Sequence, residues 1–267
     1  MDSKISHLRQ IISGIDRPLV AFSGGVDSTL LMKIAHDIHG KRCAAAIAVS
    51  PTLPEHELEE ARMIGHEMGW TLVELESSEM DLPSFTANTV KRCYFCKNHR
   101  YRYLKEYADQ NGYSQVIDGS NLDDLGDYRP GQQASQELGI RSPLQEAEFS
   151  KTEVRELARE LSLPNWDKPS SACLASRIPY GTPLTIDLLN QVGRAESALA
   201  ELGLEQFRVR YHGPVARIEV PEDDFDLVLD HKLQIVRDLE NIGFQYITLD
   251  LEGFRSGSMN KGIENNG

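Results

Sequence analysis

Apolar runs and amphipathic segments alternate along the first two thirds of the chain. Four apolar runs predict strands, at 18–22, 44–49, 71–75 and 115–118. Five segments with apolar residues at helical spacing predict helices, at 5–12, 29–38, 55–68, 97–108 and 150–161. The last of these begins with Ser150-x-x-Glu153, the pattern of a capping box. Strands that alternate with helices in this way predict an α/β fold with a doubly wound, mostly parallel sheet.

The pattern changes near residue 180. A long helix is predicted over 185–202, followed by two alternating strands at 207–211 and 215–220, a helix at 223–242 and a strand at 246–251. We therefore predict two domains, a larger one over 1–180 and a smaller C-terminal α/β domain over 181–267.

Composition narrows the class of protein. Hydrophobic residues make up 40% of the 267, which is enough for a packed core. No window approaches the run of about 18 apolar residues that crosses a membrane, and the N-terminal pattern is that of an ordinary helix rather than a signal peptide. We expect a cytoplasmic protein without a membrane partner. The net charge of −13 also argues against a large nucleic-acid interface.

The first candidate for chemistry is the segment between the first predicted strand and the next helix, here called the phosphate loop. Its residues are Ser23, Gly24, Gly25, Val26, Asp27 and Ser28. Glycines allow a tight turn and close approach of a ligand, and the following helix start offers amide donors to an anion. Asp27 adds a carboxylate that can reach a metal ion. No Gly-Lys-Ser/Thr follows, so this is not the usual P-loop.

The second candidate is a Cys-x-x-Cys pair, Cys93 and Cys96, at a predicted loop-to-helix junction. Two thiolates at this spacing can share one metal ion or cluster, and the basic residues around them can hold an anionic substrate. A thioredoxin-like redox motif is less consistent with the sequence, because the pair does not follow the first strand. A merely structural pair is the remaining alternative.

A third candidate, Cys173, lies among small residues that leave its sulfur accessible. Together with Cys93 and Cys96 it supplies three thiolates, which suit a [4Fe–4S] cluster with one iron left open. The alternative is a zinc site that His99 completes. Cys43, beside a predicted strand, is expected to be a small buried residue.

Further polar residues follow predicted strands. The acidic turn at 118–124 suits the Mg²⁺ that accompanies ATP, with Asp124 as a ligand, although a solvated acidic turn is the alternative. Arg129 and Arg141 are expected near phosphates. In the small domain, basic side chains alternate on two strands and precede a glycine-serine loop at 253–258, a pattern that suits a phosphate-bearing substrate. These side chains are Arg208, Arg210, His212 and Arg217.

Taken together, these segments resemble one family, LarE, the ATP-dependent sulfur transferase of nickel-pincer nucleotide cofactor synthesis. The phosphate loop resembles the PP-loop of ATP pyrophosphatases, and the more specific likeness comes from 118–124, 128–131, the Cys173 segment and 253–260. The resemblance implies that ATP adenylates a carboxylate of pyridinium-3,5-biscarboxylic acid mononucleotide and releases pyrophosphate. Sulfur then replaces AMP, and a second round gives the dithio product.

The resemblance also implies roles for residues. Sulfur is supplied either by sacrifice of Cys173 or by a [4Fe–4S] cluster on Cys93, Cys96 and Cys173, and the presence of all three favours the cluster. Lys97, Arg208 and Arg255 are expected to hold the substrate phosphate and remaining carboxylate. Glu196 is a possible metal ligand. The implied partners are a sulfide source and further copies of the chain in a homo-oligomer.

Three other functions remain as alternatives. A tRNA thiolase of the same superfamily can carry a three-cysteine cluster, but it usually adds zinc-ribbon cysteine pairs or a basic RNA-binding domain, and neither is evident. Amide-forming NAD or GMP synthetases have no need of the three cysteines. A nucleotide-binding iron–sulfur sensor would bind ATP without releasing pyrophosphate.

Overall fold

The computed structural model describes residues 1–126, 130–169, 172–255 and 257–259. The chain forms two compact units. The first unit comprises Met1–Ser50, Glu57–Phe85 and Val90–Ser170, and the second comprises Pro51–His56, Thr86–Thr89 and Ser171–Gly267. The second unit thus begins about ten residues before the predicted division and takes in two short segments from the first half of the chain.

The first unit consists of strands connected by helices, as the alternating pattern predicts. Its strands are β1 (Pro18–Ala21), β2 (Ala44–Val49), β3 (Leu72–Glu76) and β4 (Gln115–Asp118). Its helices, two of which share a few terminal residues with the second unit, are α1 (Asp2–Ser13), α2 (Val26–His39), α3 (Glu55–Glu67), α4 (Pro83–Thr86), α5 (Arg92–Asn111), α6 (Pro130–Glu137), α7 (Pro143–Glu146) and α8 (Lys151–Glu160). The predicted capping box of α8 is confirmed, since Ser150 and Glu153 each accept from the other's backbone amide.

The four strands form a parallel sheet in the order β3-β2-β1-β4. β1 is an inner strand, with Ala21 paired to Ala46 on one side and to Asp118 on the other. The chain moves outward from β1 through β2 to β3, then returns to the other side of β1 as β4. The crevice above the ends of β1 and β4 is therefore a topological switch point, where ligands bind in open α/β sheets. The predicted doubly wound, parallel α/β fold is confirmed.

One face of this sheet packs against α5. The contact joins small and branched residues of the strands, such as Leu19, Ala44 and Val116, to Tyr101 and Leu104 of the helix. All five side chains are buried, so this face is a continuous apolar core. It anchors α5, whose first turn carries Cys93 and Cys96.

The second unit is a three-stranded sheet covered by helices. Its strands are β5 (Arg208–His212), β6 (Val215–Glu219) and β7 (Tyr246–Leu249), with β5 antiparallel and β7 parallel to β6. Its longer helices are α9 (Ile186–Ala200), α10 (Phe225–Asp230) and α11 (Lys232–Ile242). Buried side chains of α9, α11 and the two strands β5 and β6 form one core.

The prediction of a single helix over 223–242 is wrong. The segment forms a short 3-10 turn, Glu222–Asp224, and then two helices, α10 and α11, that meet at His231. The His231 ring nitrogen Nδ1 lies 2.9 Å from the carbonyl oxygen of Leu227. His231 has φ −96° and ψ 9°, away from regular helical values, so one helix ends and the next begins there.

None of the described helices is both long enough and apolar enough to span a membrane. The cytoplasmic location stays a prediction.

Candidate active site

The phosphate loop lies at the end of β1, where the first turn of α2 begins. Ser28 is buried, and its hydroxyl donates to the carbonyl of Gly25 over 3.0 Å and accepts the amide of Ser23 over 3.2 Å. Gly25 caps α2 with an extended backbone. These bonds close the loop into a compact turn, and the amides of the first helical turn, which have no acceptor within the helix, are aligned at its mouth. The arrangement is an anion cradle at a helix N-terminus.

Glycine is required at two positions by close approach. Gly24 has φ +73°, and a Cβ on it would lie 3.0 Å from the Cβ of Ala61 on α3. Gly119 directly follows β4, and a Cβ there would lie 2.8 Å from the backbone nitrogen of Ser28. The residue after β4 and the start of α2 are thus in backbone contact, which brings the segment after β4 to the phosphate loop.

Two donors hold the carboxylate of Asp27. The amide nitrogen of Asn121, after β4, donates over 3.1 Å to Oδ1. The ammonium of Lys151, the first residue of α8, forms an ion pair with Oδ2. Sequence reasoning missed Lys151, although the capping box that places it was recognised. A cation next to the loop carboxylate adds positive charge to a cradle that otherwise consists of amides and hydroxyls.

Asn165 supports the loop from behind. It is buried, and its amide nitrogen donates to the carbonyl of Gly24 over 2.8 Å and to the Thr29 hydroxyl over 2.9 Å. Because both acceptors belong to the turn between β1 and α2, this side chain fixes the shape of the cradle. No motif in the sequence pointed to Asn165.

The acidic residues at the end of β4 and in the turn after it accept hydrogen bonds. Buried Asp118 accepts from the hydroxyls of Tyr101, over 2.6 Å, and Ser142, over 2.7 Å. Burial, followed by the negative charge of Asp118, raises the Tyr101 pKa well above its ordinary value, so Tyr101 stays a neutral donor. Asp124 is half-buried and accepts the Asn121 backbone amide over 3.0 Å. The expected role of Asp124 as a Mg²⁺ ligand stays a prediction.

Cys93 and Cys96 lie on the first turn of α5, three positions apart and therefore on one face. Cys93 is exposed and Cys96 half-buried, and the four cysteines of the chain are all thiols. One turn further, Arg100 pairs with fully buried Glu79 over 2.5 Å. Burial tends to raise the Glu79 pKa, but the charge of Arg100 and hydrogen bonds from Ser50 and Ser77 outweigh it and hold the pKa below its ordinary value.

The pair on α5 suits two thiolate ligands of a metal ion or cluster. Within the described ranges, no group of three or more His, Cys, Asp and Glu side chains is placed to hold a metal ion. His99, the fourth ligand of the zinc alternative, has its ring nitrogen Nε2 3.2 Å from the Ser78 hydroxyl. The three-cysteine set stays a prediction. Cys43 is buried as expected, and burial raises the pKa of its thiol to about 11.

Cys173 lies in the second unit, immediately before the 3-10 turn Leu174–Arg177. The residue is half-buried, and its carbonyl accepts from the amide and the hydroxyl of Ser176 over 2.9 and 2.8 Å. Glu196, considered as a metal ligand, is instead the buried partner of Arg177, with its two oxygens 2.8 and 2.9 Å from the guanidinium. Its carboxylate is therefore committed to an ion pair within the unit.

The basic strand face predicted for phosphate binding is largely neutralised. Fully buried Glu219 pairs with Arg210 and Arg217 over 2.8 Å each. Arg255 pairs with Asp250 over 3.3 Å and with Glu252 over 2.6 Å. Only the Arg210 pair joins two strands, whereas Glu219 lies two residues from Arg217 and the partners of Arg255 lie three and five residues from it, so these local pairs were within reach of the sequence.

The three expected substrate anchors, Lys97, Arg208 and Arg255, are all partly exposed. The Arg208 guanidinium lies 5.1 Å above the ring of Phe254, and the Lys97 ammonium lies 5.7 Å from the ring of Tyr101. Arg141, expected near phosphates, pairs with Glu146. Arg129 lies outside the described residues, as do parts of the 128–131 and 253–260 segments.

The chain resembles known proteins along nearly its whole length. A family model described as a PP-loop domain matches residues 2–127. The pyridinium-3,5-bisthiocarboxylic acid mononucleotide synthase of Lactiplantibacillus plantarum is 42% identical over 97% of this chain and 94% of its own. An uncharacterised protein of Synechocystis sp. is 48% identical over 98% of both chains. Another, from Methanocaldococcus jannaschii, is 29% identical over 89% of this chain and 90% of its own.

Proposed function

The chain belongs to the LarE family of PP-loop enzymes, and from that premise we propose that it makes pyridinium-3,5-bisthiocarboxylic acid mononucleotide from the biscarboxylic acid. ATP activates each carboxylate, and sulfur then replaces the AMP. The observation that carries the proposal is the phosphate cradle at the β1/β4 switch point, with Asp27 held between Asn121 and Lys151. Such a cradle suits the departure of an anionic leaving group.

In the activation step, a substrate carboxylate oxygen bonds to the α-phosphorus of ATP. The bond from that phosphorus to the β-phosphate bridging oxygen breaks, and its electrons leave with pyrophosphate. The amides at the start of α2 and the ammonium of Lys151 are the groups that stabilise this developing charge. Asp27 and Asp124 are the carboxylates that would hold Mg²⁺, which supplies further neutralisation of the phosphates.

In the second step, sulfur bonds to the activated acyl carbon and the bond to the AMP oxygen breaks, so AMP leaves with the electron pair. We assign Cys173, a half-buried residue on a turn fixed by hydrogen bonds, to this step, either as a ligand of the group that would supply the sulfide or as the sulfur donor itself. A second round at the other carboxylate gives the dithio product.

For the source of sulfur we propose the cluster route. Cys93, Cys96 and Cys173 would hold a [4Fe–4S] cluster, which would supply the transferred sulfide, received from a separate donor. Support comes from the placement of two of these thiols on one helical turn. The alternative is consumption of the Cys173 sulfur itself.

For the substrate we propose that Lys97 and Arg208 contact its anionic groups. Both are partly exposed cations, and so is Arg255, the third candidate, which pairs with Asp250 and Glu252. We also propose that copies of the chain associate, as the family resemblance implies.

The activation step is tested by incubating the protein with ATP, the biscarboxylate mononucleotide and added inorganic sulfide, and measuring pyrophosphate and thiocarboxylate. Both are expected with the native chain, and Asp27→Asn should lower pyrophosphate release at least about tenfold because the metal-binding charge is lost. Asp37→Asn, on the same helix but paired with Lys33 at the surface, is the matched control. Pyrophosphate release that requires tRNA instead would overturn the proposal in favour of a tRNA thiolase.

The sulfur source is tested by iron and acid-labile sulfide content under exclusion of oxygen. The native chain and Cys43→Ala should retain both, whereas Cys93→Ser and Cys96→Ser should lose them. A protein with stoichiometric zinc and no iron contradicts the cluster. A mass loss of about 34 Da per chain after turnover, one hydrogen sulfide, shows that Cys173 is consumed.

A further inference from the structure

A buried ion pair lies beside Cys173 in the second unit. Arg177 and Glu196 are only 2% and 1% exposed. The guanidinium binds the carboxylate through two parallel hydrogen bonds, Nε to Oε1 over 2.8 Å and Nη2 to Oε2 over 2.9 Å. This bidentate geometry fixes both side chains in one orientation.

The remaining nitrogen of Arg177, Nη1, holds the chain on either side of the Cys173 Cα. It donates to the carbonyl of Ala172 over 2.5 Å and to the carbonyl of Cys173 over 3.2 Å. The next amide, that of Leu174, donates to the carbonyl of Thr52 over 2.9 Å. The peptide groups before and after Cys173 are therefore both fixed, while the residue itself stays half-buried.

The pair is itself anchored in the sheet of the second unit. Glu196 Oε1 also accepts the amide of Val209, in β5, over 3.0 Å. From the same strand, Arg210 donates to the carbonyl of Ser176 over 3.1 Å. Two buried arginines thus connect the Cys173 turn to β5.

Stability alone does not account for this arrangement. The desolvation of two buried charges offsets most of their attraction, and a well-packed hydrophobic pair often stabilises a fold as much or more. What an arginine adds is a set of directed donors to the carbonyls flanking one residue. We propose that Arg177 and Glu196 are positioning residues that fix the Cys173 thiol for the sulfur-transfer step, an inference that rests on the proposed function.

The main test uses the double variant Arg177→Met with Glu196→Gln. It removes both buried charges together, so no charge is left unpaired, and the introduced glutamine side chain still offers an oxygen to the Val209 amide. Pyrophosphate release should stay within about twofold of the native rate. The thiocarboxylate formed per pyrophosphate released should fall at least about tenfold, because even a small displacement of a reacting group strongly lowers the rate of its reaction. Arg177→Lys keeps the charge but not the donor fork, and should show the same loss of coupling.

A second readout does not depend on turnover. The rate at which iodoacetamide alkylates Cys173 in the as-purified protein, followed by peptide mass spectrometry, should rise several-fold in both variants, with Cys93 and Cys96 as internal references. Arg194→Lys and Glu201→Gln, at exposed positions in and at the end of α9, are matched controls expected to behave like the native chain.

The proposal would be overturned if the variants melt at lower temperature but keep the native yield of thiocarboxylate per pyrophosphate and the native rate of Cys173 alkylation. The ion pair would then have only a structural role. If the native chain forms no thiocarboxylate at all, the proposed function fails, and the alkylation rates alone decide whether the pair positions Cys173. If the double variant does not fold, Arg177→Lys carries both measurements.

Discussion

At the scale of single residues, the most informative contact is the one between Asp27 and Lys151. These residues lie far apart in the sequence, yet the ammonium of Lys151 neutralises the only carboxylate within the phosphate loop. When the anionic triphosphate enters, Lys151 can pair with a phosphate oxygen while Asp27 turns to a metal ion. The pair thus holds the charges of the cradle in place before the ligand arrives, which favours electrostatic preorganisation.

Lys151→Gln is expected to lower the rate of pyrophosphate release about ten- to hundredfold at saturating ATP, since one donor to the leaving group is lost. The measurement is initial pyrophosphate release with the biscarboxylate substrate. Lys33→Gln removes a lysine that pairs with Asp37 on the surface of α2 and serves as the control. A native rate in Lys151→Gln would mean that Lys151 only supports Asp27.

The arginines of β5 and β6 show that residue type alone does not identify a phosphate-binding surface. The alternating Arg208, Arg210 and Arg217 suggest a phosphate-binding face, but Glu219 pairs with two of them. Arg217 lies two residues before Glu219 on β6, so that pair is local, whereas Arg210 reaches Glu219 from β5 through the register of the two strands. Strand pairing is a tertiary outcome, and the one-dimensional pattern could not supply it.

At the scale of elements, the site depends on how closely β4 ends against the start of α2. Gly119 is the point of contact, where an added Cβ would lie 2.8 Å from the nitrogen of Ser28 and 3.0 Å from the carbonyl carbon of Asp27. The obstructing atoms are backbone, which cannot rotate away as a side chain can. Any substitution there must displace the phosphate loop.

Gly119→Ala is therefore expected to lower pyrophosphate release at least about tenfold, because a shift of the cradle misplaces the reacting groups. The Michaelis constant for ATP should rise in the same kinetic measurement. Gly65→Ala is the control, since its added Cβ would meet only Leu72 at an ordinary 3.5 Å and alanine favours the helix. Equal effects of the two substitutions would argue against a role of the β4–α2 contact.

Local signals placed most elements correctly. The continuous apolar run of β2 and the capping box of α8 gave boundaries that the structure reproduces. The prediction failed over 223–242, where apolar periodicity continues through His231 although the backbone does not. Periodicity reports which side of a segment faces a core, and two consecutive helices with one buried side satisfy it as well as a single helix does.

At the scale of the whole molecule, acid stability depends on Glu79, which is fully buried against Arg100. Its folded pKa lies below its ordinary value of 4.5. Protonation then favours the unfolded chain, so the stabilisation is complete above pH 4.5 and is lost as the pH falls through the lower, folded pKa.

In Glu79→Gln, the melting temperature is accordingly expected to fall less steeply below pH 4.5 than in the native chain. At neutral pH the variant should melt at a lower temperature than the native chain, because Arg100 loses its charged partner. Thermal unfolding followed by circular dichroism between neutral and acid pH measures both effects. Glu74→Gln serves as the comparison, since the Glu74 ion pair with Arg62 is exposed to solvent and screened. The same acid dependence in Glu79→Gln and the native chain would contradict the assignment.

The sequence by itself determined the class of fold, the order of most of its elements and the phosphate loop, because periodicity, glycine turns and caps act over a few residues. It also supported the family, since the cysteines and acidic turns are local motifs. Only the tertiary structure showed that Lys151 and Asn121 bind Asp27, that Glu219 pairs with Arg210 of the neighbouring strand, and that Arg177 and Glu196 hold the Cys173 turn. Each of these contacts joins different elements, and its partners are chosen by strand register and packing rather than by neighbours in the chain.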